Sequence, residues 1–194
     1  MSQKKRTRAY DSGKRIKQAE LNRSRIVDLA IQLLKKQGAE FSLRKLSVAA
    51  KCSERHLYRI FGGVEGLAHE LNSKMNEIIG QTTGFAGLSL QALSEFAARL
   101  HVGFNEHEVL VRAYLESPFG QISRETWLKE KDKGIRSALA SDGIQEVLYK
   151  EILVLLSASF WLILRDEAGM SAAESVSQVR RMADDIVRRS ERKS

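Results

Sequence analysis

Proline occurs only once in this chain of 194 residues, at Pro118. Because proline removes a backbone hydrogen-bond donor and ends helices, its scarcity leaves long stretches of the chain free to be helical. Apolar residues in these stretches recur at spacings of three and four, and no segment keeps the strict alternation expected of a strand. The sequence therefore predicts an all-α protein.

Two short helices are predicted after a first long helix. The stretch LNRSRIVDLAIQLLKKQG carries one apolar stripe and ends at Gly38, where a left-handed C-terminal cap is expected. Ser42 and Ser53 are predicted N-caps of the short helices, because a hydroxyl can accept a hydrogen bond from an unpaired amide of the first turn. The side chains of the first short helix expected to face inward are Leu43, Leu46 and Ala50. So tight a connection between two short helices is typical of a helix-turn-helix.

The second short helix lies within the stretch KCSERHLYRIF and has only three apolar side chains that can dock it. Leu57, Ile60 and Phe61 lie on one side of this helix. Two arginines, a histidine, a glutamate and a tyrosine occupy the rest of its surface. A face so polar and basic indicates contact with a partner.

The remainder of the chain is predicted to form a second helical unit. GFAGLSL is a predicted linker, and Pro118 is expected to end a helix. A further helix closes at the turn formed by residues 141–143, and one apolar helix is predicted over residues 145–166. A capping box of Ser171 and Glu174 opens the last helix.

Basic charge is concentrated in the first third of the chain. Residues 1–63 contain 16 Lys and Arg against 5 Asp and Glu, a net charge of +11, whereas residues 64–194 contain 16 against 19, a net charge of −3. The overall charge of +8 is therefore carried by the N-terminal end. This asymmetry favours a polyanion as partner, nucleic acid ahead of an anionic membrane surface; a solubilising tail is the alternative.

Few residues have the spacing of a catalytic or metal site. Cys52 is the only cysteine, so an internal disulfide cannot form. The four histidines lack cysteine or carboxylate partners at the spacing of metal ligands, and no G-x-S-x-G occurs. The glycines of GGVEG at residues 62–66 are expected to form a helix entry and not a phosphate-binding loop. We therefore expect a protein that is not an enzyme and needs no cofactor or metal.

The sequence also indicates where the protein works. MSQKKRTRAYDSGKRIKQ has no apolar segment after its basic residues, so no signal peptide is expected. The longest apolar run, ILVLLSASFWLIL, is too short to cross a bilayer and is predicted to be a buried helix. These features predict a cytoplasmic protein with no membrane partner.

Residues 26–71 resemble the DNA-binding domain of the TetR (tetracycline-repressor) family of bacterial transcriptional regulators. A first helix ends at Gly38 shortly before Phe41, SLRKLSVAAKCS stands where the family has a pattern like T-x-R-x-I-A-x-x-A-G-V-S, and HLYRIF stands where it has T-L-Y-x-H-F. The resemblance covers about a quarter of the chain. It implies a homodimeric repressor that binds a palindromic double-stranded DNA operator and is released by a small apolar effector.

Three positions depart from the family pattern. Lys51 stands where the family usually has glycine, so either the turn holds a strained residue at positive φ, which costs about 1–2 kcal/mol, or it closes with other dihedral angles. Val64 stands where many members have a lysine that contacts phosphate, and His56 replaces a small residue. The basic N-terminal residues are expected to compensate by touching phosphates or the minor groove.

Nine residues of the two short helices are candidates for DNA contact. The second helix of such a pair enters the major groove, where Arg55 can bind guanine bidentately and Glu54 can accept a hydrogen bond from cytosine. Arg59 lies one turn beyond Arg55, and most of the other candidates suit phosphate oxygens, which fix the register. For each candidate the alternative is a solvated surface side chain. The candidates are Ser42, Arg44, Lys45, Ser53, Glu54, Arg55, His56, Tyr58 and Arg59.

Three domains are predicted: a basic flexible arm over residues 1–20, a helix-turn-helix DNA-binding domain over residues 21–66, and a helical effector-binding and dimerisation domain over residues 67–194. Charge placed at Val179 or Ile186 is expected to yield monomers, because the last two helices are predicted to pair with their symmetry mates. Large side chains of the last domain are candidates to line an effector pocket, with ordinary core packing as the alternative. These candidates are Phe96, Leu100, Phe104, Tyr114, Trp127, Phe160 and Trp161.

Two other functions are compatible with a basic N-terminal end. An effector-independent architectural protein would bind DNA with little sequence preference and a steep dependence on salt. A membrane-surface or scaffold protein would bind anionic vesicles as well as DNA. The pattern of the second short helix favours a sequence-specific regulator over both.

Overall fold

The computed structural model describes residues 12–81 and 84–192, and within them the chain is all-α and contains no strand. The all-α prediction is therefore confirmed. The helices are α1 (Ser12–Gln37), α2 (Leu43–Ala49), α3 (Glu54–Phe61), α4 (Val64–Ile78), α5 (Leu93–Glu106), α6 (Glu108–Glu116), α7 (Pro118–Ala138), α8 (Glu146–Leu155), α9 (Ala158–Leu162) and α10 (Ala172–Glu191).

The first helix begins earlier than the sequence pattern predicts. It starts at Ser12, whereas a flexible arm is predicted to residue 20. The residues after Gly13 are mostly lysine, arginine, glutamine, alanine and glutamate, which lose little side-chain freedom in a helix. Residues 12–20 are therefore helical, and the predicted arm is wrong over that part. Its other basic residues, Lys4, Lys5, Arg6 and Arg8, lie outside the described residues.

Helices α2 and α3 are docked by the apolar faces that the sequence predicts. Leu46 of α2 is 0% exposed and Leu57 of α3 is 1% exposed, and both belong to the core that contains Leu34 of α1 and Leu67 of α4. Burying such a leucine side chain stabilises a fold by about 1.5–3 kcal/mol. This shared core fixes which side of α3 faces outward.

Two glycines connect α3 to α4. Gly62 ends α3 with a φ of +76°, and Gly63 precedes α4 with a φ of +129°, values that side chains disfavour. A Cβ atom at Gly66 would lie 1.8 Å from the carbonyl oxygen of Phe61, so the first turn of α4 packs directly on the end of α3. The predicted helix entry at residues 62–66 is confirmed.

Local sequence signals mark other helix ends correctly. Pro118 stands in the first turn of α7, and Ser117 before it caps that helix. Gly143 has a φ of +58° at the predicted turn after α7. Both hydrogen bonds of the predicted capping box form between Ser171 and Glu174.

The apolar segment predicted as one helix over residues 145–166 is broken in the structure. α8 and α9 lie on either side of Ser157, a π-helical turn over Ile163–Glu167 follows, and the two halves are bent by 63°. The hydroxyl of Ser157 accepts a hydrogen bond from the amide of Phe160 at 3.1 Å, which starts a new helix instead of extending α8. The prediction of one continuous helix is wrong.

The same apolar segment bears on whether the chain has a helix long enough to cross a membrane. Within the described residues, no single helix is both long enough and apolar enough to cross a membrane. The bent pair Glu146–Leu155 and Ala158–Glu167 meets that requirement only when its two parts are taken together. Ile152, Leu155 and Trp161 of this pair lie in the protein core, each at most 1% exposed.

The apolar stripe of α10 faces its own chain. α10 packs along α5, and an ion pair of 2.7 Å joins Arg180 to Glu95 beside this contact. Val179 is 0% exposed and Ile186 is 2% exposed. A charge at either position would disrupt the monomer core, so the prediction that such charges yield folded monomers is wrong.

Candidate nucleic-acid interface and ligand cavity

The connection between α2 and α3 is stabilised by two serine caps. The hydroxyl of Ser42 accepts from the amide of Lys45 at 3.3 Å, and the hydroxyl of Ser53 accepts from the amide of His56 at 3.2 Å. Both N-cap predictions are confirmed. Each hydroxyl keeps its own proton, which it can donate to an anion such as a phosphate oxygen.

Lys51 has a strained backbone in the turn. Its φ is +52°, and among the described residues it is the only residue other than glycine with a positive φ. Of the two possibilities left by the sequence, the structure therefore has the strained one. The amides of Lys51 and Cys52 donate to the carbonyl oxygens of Val48 and Ser47 at 3.1 and 3.0 Å, which holds the turn closed.

We expect Lys51→Gly to stabilise the protein by about 0.5–1 kcal/mol, because glycine adopts positive φ without strain and loses part of that gain through its more flexible unfolded chain. Lys51→Ala is the matched control, since it removes the same side chain and keeps the Cβ atom that causes the strain. Urea unfolding of both variants measures the difference. Equal stabilities for the glycine and alanine variants would contradict the strain.

Four outward residues of α3 occupy one arc of the helix. Glu54, Arg55, Tyr58 and Arg59 are exposed, with Tyr58 at 47%, while His56 is half-buried. Arg59 donates to Nδ1 of His56 at 2.9 Å. Because a guanidinium can only donate, the proton of the neutral His56 ring lies on Nε2.

Several cations of α2, α3 and the turn between them have no counter-charge among the described residues. Arg44, Lys51 and Arg55 are exposed and have no carboxylate partner within the described part of the chain. Lys45, by contrast, donates to Glu40 at 3.1 Å. Unpaired exposed cations on neighbouring elements produce a local positive potential that attracts an anion.

Arg23 of α1 holds α3 and α4 in place, a role that sequence reasoning missed. It donates to the carbonyl oxygen of Ile60 at 3.0 Å and to Glu70 at 2.7 Å. Its guanidinium also lies 5.2 Å from the centre of the Phe61 ring. The partners lie 37 to 47 residues away in sequence, so helical spacing alone could not identify them.

Val48 is a second residue that the sequence analysis missed. It is 74% exposed, although it is β-branched and apolar. It lies one helical turn after Arg44, on the exposed side of α2. Its position outside the predicted inward stripe was the available signal, and such a side chain can contact a thymine methyl group. Val64, in contrast, is partly buried and packs against the core.

A cavity of about 540 Å³ lies among α4, α5, α6, α7 and the break between α8 and α9. Of the residues predicted to line a pocket, Leu100, Phe104, Tyr114 and Trp127 line it. Met75 of α4 and Ile79, which directly follows that helix, line it as well, and neither was predicted to do so.

Three predicted pocket residues do not line the cavity. Phe96 packs against Phe85, with ring centres 6.1 Å apart, and Phe160 lies beside His101 at 6.4 Å. Trp161 is fully buried, and its indole donates to Asn105 at 2.8 Å. Phe96 and Trp161 are buried in the core and Phe160 packs against it partly buried, so the structure does not place these three rings in this cavity.

A larger groove of about 820 Å³ lies on the outer side of α8 and α10. Val147 and Val154, which border it, are 67% and 55% exposed and stand two turns apart on α8. Charges of both signs border the same groove, namely Lys150, Glu151, Arg181, Asp185 and Arg189. The groove therefore combines exposed apolar surface with paired opposite charges.

No family model matches the chain. No curated protein sequence matches it significantly. Within the described residues, no group of three or more histidine, cysteine, aspartate or glutamate side chains is placed to hold a metal ion.

Proposed function

We propose that this protein is a cytoplasmic DNA-binding transcriptional regulator of the TetR type, which acts as a homodimeric repressor on a palindromic operator and is released by a small effector. The observation that carries the proposal is the outward arc of α3 with the exposed Arg55, together with the exposed Arg44 of the preceding helix α2; among the described residues neither has a carboxylate partner. Arginine recognises guanine through two parallel hydrogen bonds, and a short exposed helix can enter the major groove.

The rigidity of α3 supports a role in reading base edges. Leu57 and Phe61 are buried beneath it, and Arg23 ties its last turn to α1 and α4. A recognition helix must hold its side chains in register with the base edges. A helix that is already held in place by its neighbours loses less conformational entropy when it binds DNA. The serine caps before α2 and α3 place two hydroxyl donors where phosphate contacts would set this register.

The groove beside α8 and α10 supports a two-fold dimer. A surface that combines the exposed Val147 and Val154 with charges of both signs can contact its own symmetry mate, because the apolar side chains can pack together and a cation of one chain can approach an anion of the other. A dimer places two copies of α3 on successive turns of the duplex, about 34–36 Å apart. A palindromic operator has the same two-fold symmetry.

The position of α4 supports release by a ligand. Met75 of α4 lines the cavity, as does Ile79 at the end of that helix, while Glu70 of α4 is bound by Arg23, which also holds α3. A ligand that displaces α4 would therefore change the orientation of α3 in the same movement. Such a ligand releases the protein from DNA if it binds the DNA-free conformation more tightly than the DNA-bound conformation.

An architectural role without sequence preference is the second candidate, and the unpaired cations are equally compatible with it. Selection of binding sites from a randomised DNA library distinguishes the two functions. A regulator should enrich one palindromic sequence, whereas an architectural protein should enrich none.

We expect Arg55→Ala to weaken binding to the selected operator by about 1–3 kcal/mol and to relax preference at one base position in each half-site. The matched variant Tyr58→Phe removes a hydroxyl from the same arc and should weaken binding to all sequences alike. Competition binding against the randomised library measures both effects. An unchanged base preference in Arg55→Ala would exclude Arg55 as a reader of the operator.

A further inference from the structure

A charged side chain is deeply buried in the wall of the cavity. Its walls are largely apolar and include Leu100, Phe104 and Leu156, yet Lys131 of α7 also lines it and is only 3% exposed. A lysine ammonium is almost never fully buried without a partner, because removal from water is costly. The group that pairs with the ammonium of Lys131 therefore has to be identified.

The protein supplies only part of what the ammonium requires. Nζ of Lys131 donates to the carbonyl oxygen of Leu153 at 2.7 Å and lies 5.1 Å from the centre of the Trp127 ring. Neither group carries a negative charge, and no carboxylate pairs with Lys131 in the described ranges 12–81 and 84–192. An ammonium has three donors, so two hydrogen bonds remain to be made.

Lys131 nevertheless keeps its charge at neutral pH. Burial lowers the pKa of Lys131 to about 8, and no other group contributes to this shift. At pH 7 the cationic form still predominates. The nearby His101 is also buried, and because burial lowers its pKa to about 4 it is neutral at that pH.

A second donor in the cavity wall lacks an acceptor. The side-chain amide of Gln81 lines the same cavity, and its Nε2 atom is buried without a hydrogen-bond partner in the described structure. Buried donors in folded proteins are normally paired. Two hydrogen-bond donors, one of them charged, therefore line one apolar cavity and still have unpaired hydrogens.

Among the described residues, the one acidic side chain that lines the cavity does not neutralise Lys131. Glu116 is exposed, as is Arg124, so these two opposite charges lie toward solvent. The interior of the cavity consequently has a net positive charge. An entering ligand would meet mixed charge at the outer edge and a lone cation within.

We infer that the cavity binds an organic anion with an apolar body, whose carboxylate pairs with Lys131 and whose hydrocarbon part packs against Leu100 and Phe104. Its role as the effector that releases DNA rests on the proposed function; the chemistry of binding does not. A volume of about 540 Å³ is within the range of small-molecule sites. Charge-assisted hydrogen bonds are the strongest that such a ligand can make here.

The contact of Lys131 with Leu153 also has a purely structural explanation, in which the lysine only caps the carboxyl end of α8. That contact satisfies one carbonyl oxygen near the end of the helix. A neutral donor would do the same without bringing an uncompensated charge into the core. The charge itself is what the capping role leaves unexplained.

Calorimetric titration of the full chain without DNA tests the inference with three probes of matched length: decanoate, decanol and decylamine. Decanoate should bind at least about tenfold more tightly than decanol, and decylamine should not bind. Equal affinities for decanoate and decanol, or no binding of decanoate, would overturn the inference. This comparison uses only the wild-type protein, so it does not depend on any variant folding.

Lys131→Met adds the matched test of the residue. Decanoate affinity should fall about tenfold to a hundredfold, while decanol affinity should be retained. Lys133→Met, an exposed lysine of the same helix, is the control and should change neither affinity. An unchanged decanoate affinity in Lys131→Met would overturn the assignment.

Separate DNA measurements distinguish this inference from the proposed function. A protein that selects an operator yet does not distinguish decanoate from decanol is a regulator without an anion site. A protein that binds decanoate through Lys131 yet selects no DNA has the anion site without the regulatory function. Decanoate that releases operator DNA from the wild type, but not from Lys131→Met, supports both.

Discussion

Val147→Glu is expected to convert the proposed dimer into a monomer that keeps its helices and loses its affinity for the proposed operator. Val147 is 67% exposed on α8 and borders the groove beside α10, so the monomer can hydrate a carboxylate at this position. In a two-fold dimer the same carboxylate would be buried in both chains. The substitution therefore penalises association without disturbing the monomer core.

The expected effect of Val147→Glu is large because the penalty occurs twice in each dimer. An unpaired buried carboxylate costs several kcal/mol, so the dimerisation constant should fall by more than about a hundredfold. Each monomer would then contact one half-site only. Operator affinity should fall at least as far, because a single half-site supplies only part of the binding energy.

Val109→Glu is the matched control, because Val109 is 68% exposed on α6 and does not border the groove. Sedimentation should give a monomer for Val147→Glu and a dimer for Val109→Glu, with similar circular dichroism spectra for both. If Val147→Glu still sediments as a dimer and binds its operator normally, the contact between chains lies on another surface.

Lowering the pH from 7 to 4 is expected to cost the protein about 3 kcal/mol of stability through His101 alone. His101 of α5 is 0% exposed, and Nε2 donates to the carbonyl oxygen of Leu155 at 2.9 Å. Nδ1 is buried without a partner among the described residues, and the cation of Lys131 lies near the ring. Protonation would place a second positive charge in this environment.

The sign of this pH dependence follows from the pKa of His101 in the folded and the unfolded protein. Burial lowers the pKa of His101 from an ordinary value of 6.5 to about 4 in the folded protein. Between these values the unfolded chain binds the proton and the folded chain does not. Stability from this residue is therefore complete above about pH 6.5, falls as the pH decreases, and stops falling near pH 4.

His101→Gln is expected to reduce this loss, because glutamine can still donate to Leu155 and does not titrate. Urea unfolding at several pH values measures the slope, and the difference between wild type and variant removes the contribution of carboxylates. His69→Gln, at an exposed position, should keep the slope of the wild type. Equal slopes for wild type and His101→Gln would contradict the assignment.

Local sequence signals predicted much of the fold. The caps at Ser42, Ser53 and Ser171, the turn at Gly143 and the helix entry at Gly62 depend on residues only a few positions apart. Such signals are visible in sequence because hydrogen-bonding chemistry and backbone freedom act locally. The inward stripes of α2 and α3 were predicted for the same reason.

Features that depend on distant residues were not predicted. The break at Ser157 occurs in an apolar run whose composition favours a continuous helix, and the carbonyl oxygens near it are satisfied by Lys131 and His101, which lie on other helices. The stripe of α10 was visible, but its burial against α5 rather than against a second chain was not. Periodicity identifies an apolar face and does not identify its partner.

Contacts between distant residues also limited the prediction of the candidate site. The exposure of Arg55 and Tyr58 followed from helical spacing, whereas the clamp by Arg23 and the lone charge of Lys131 required the packed chain. Phe160 and Trp161 resembled pocket residues because large aromatic side chains suit cores and cavities equally. Only their neighbours in the fold distinguish the two environments.

Val154 belongs to two surfaces at once, because it stands next to the break that ends α8. It borders the outer groove and also lines the cavity. In a dimer built on that groove, a ligand that moves Val154 changes the free energy with which two chains associate. Thermodynamic reciprocity then requires association to change ligand affinity by the same factor. In such a dimer, a helix broken at this point would make the sensitivity of the protein to its ligand depend on the protein concentration in the cell.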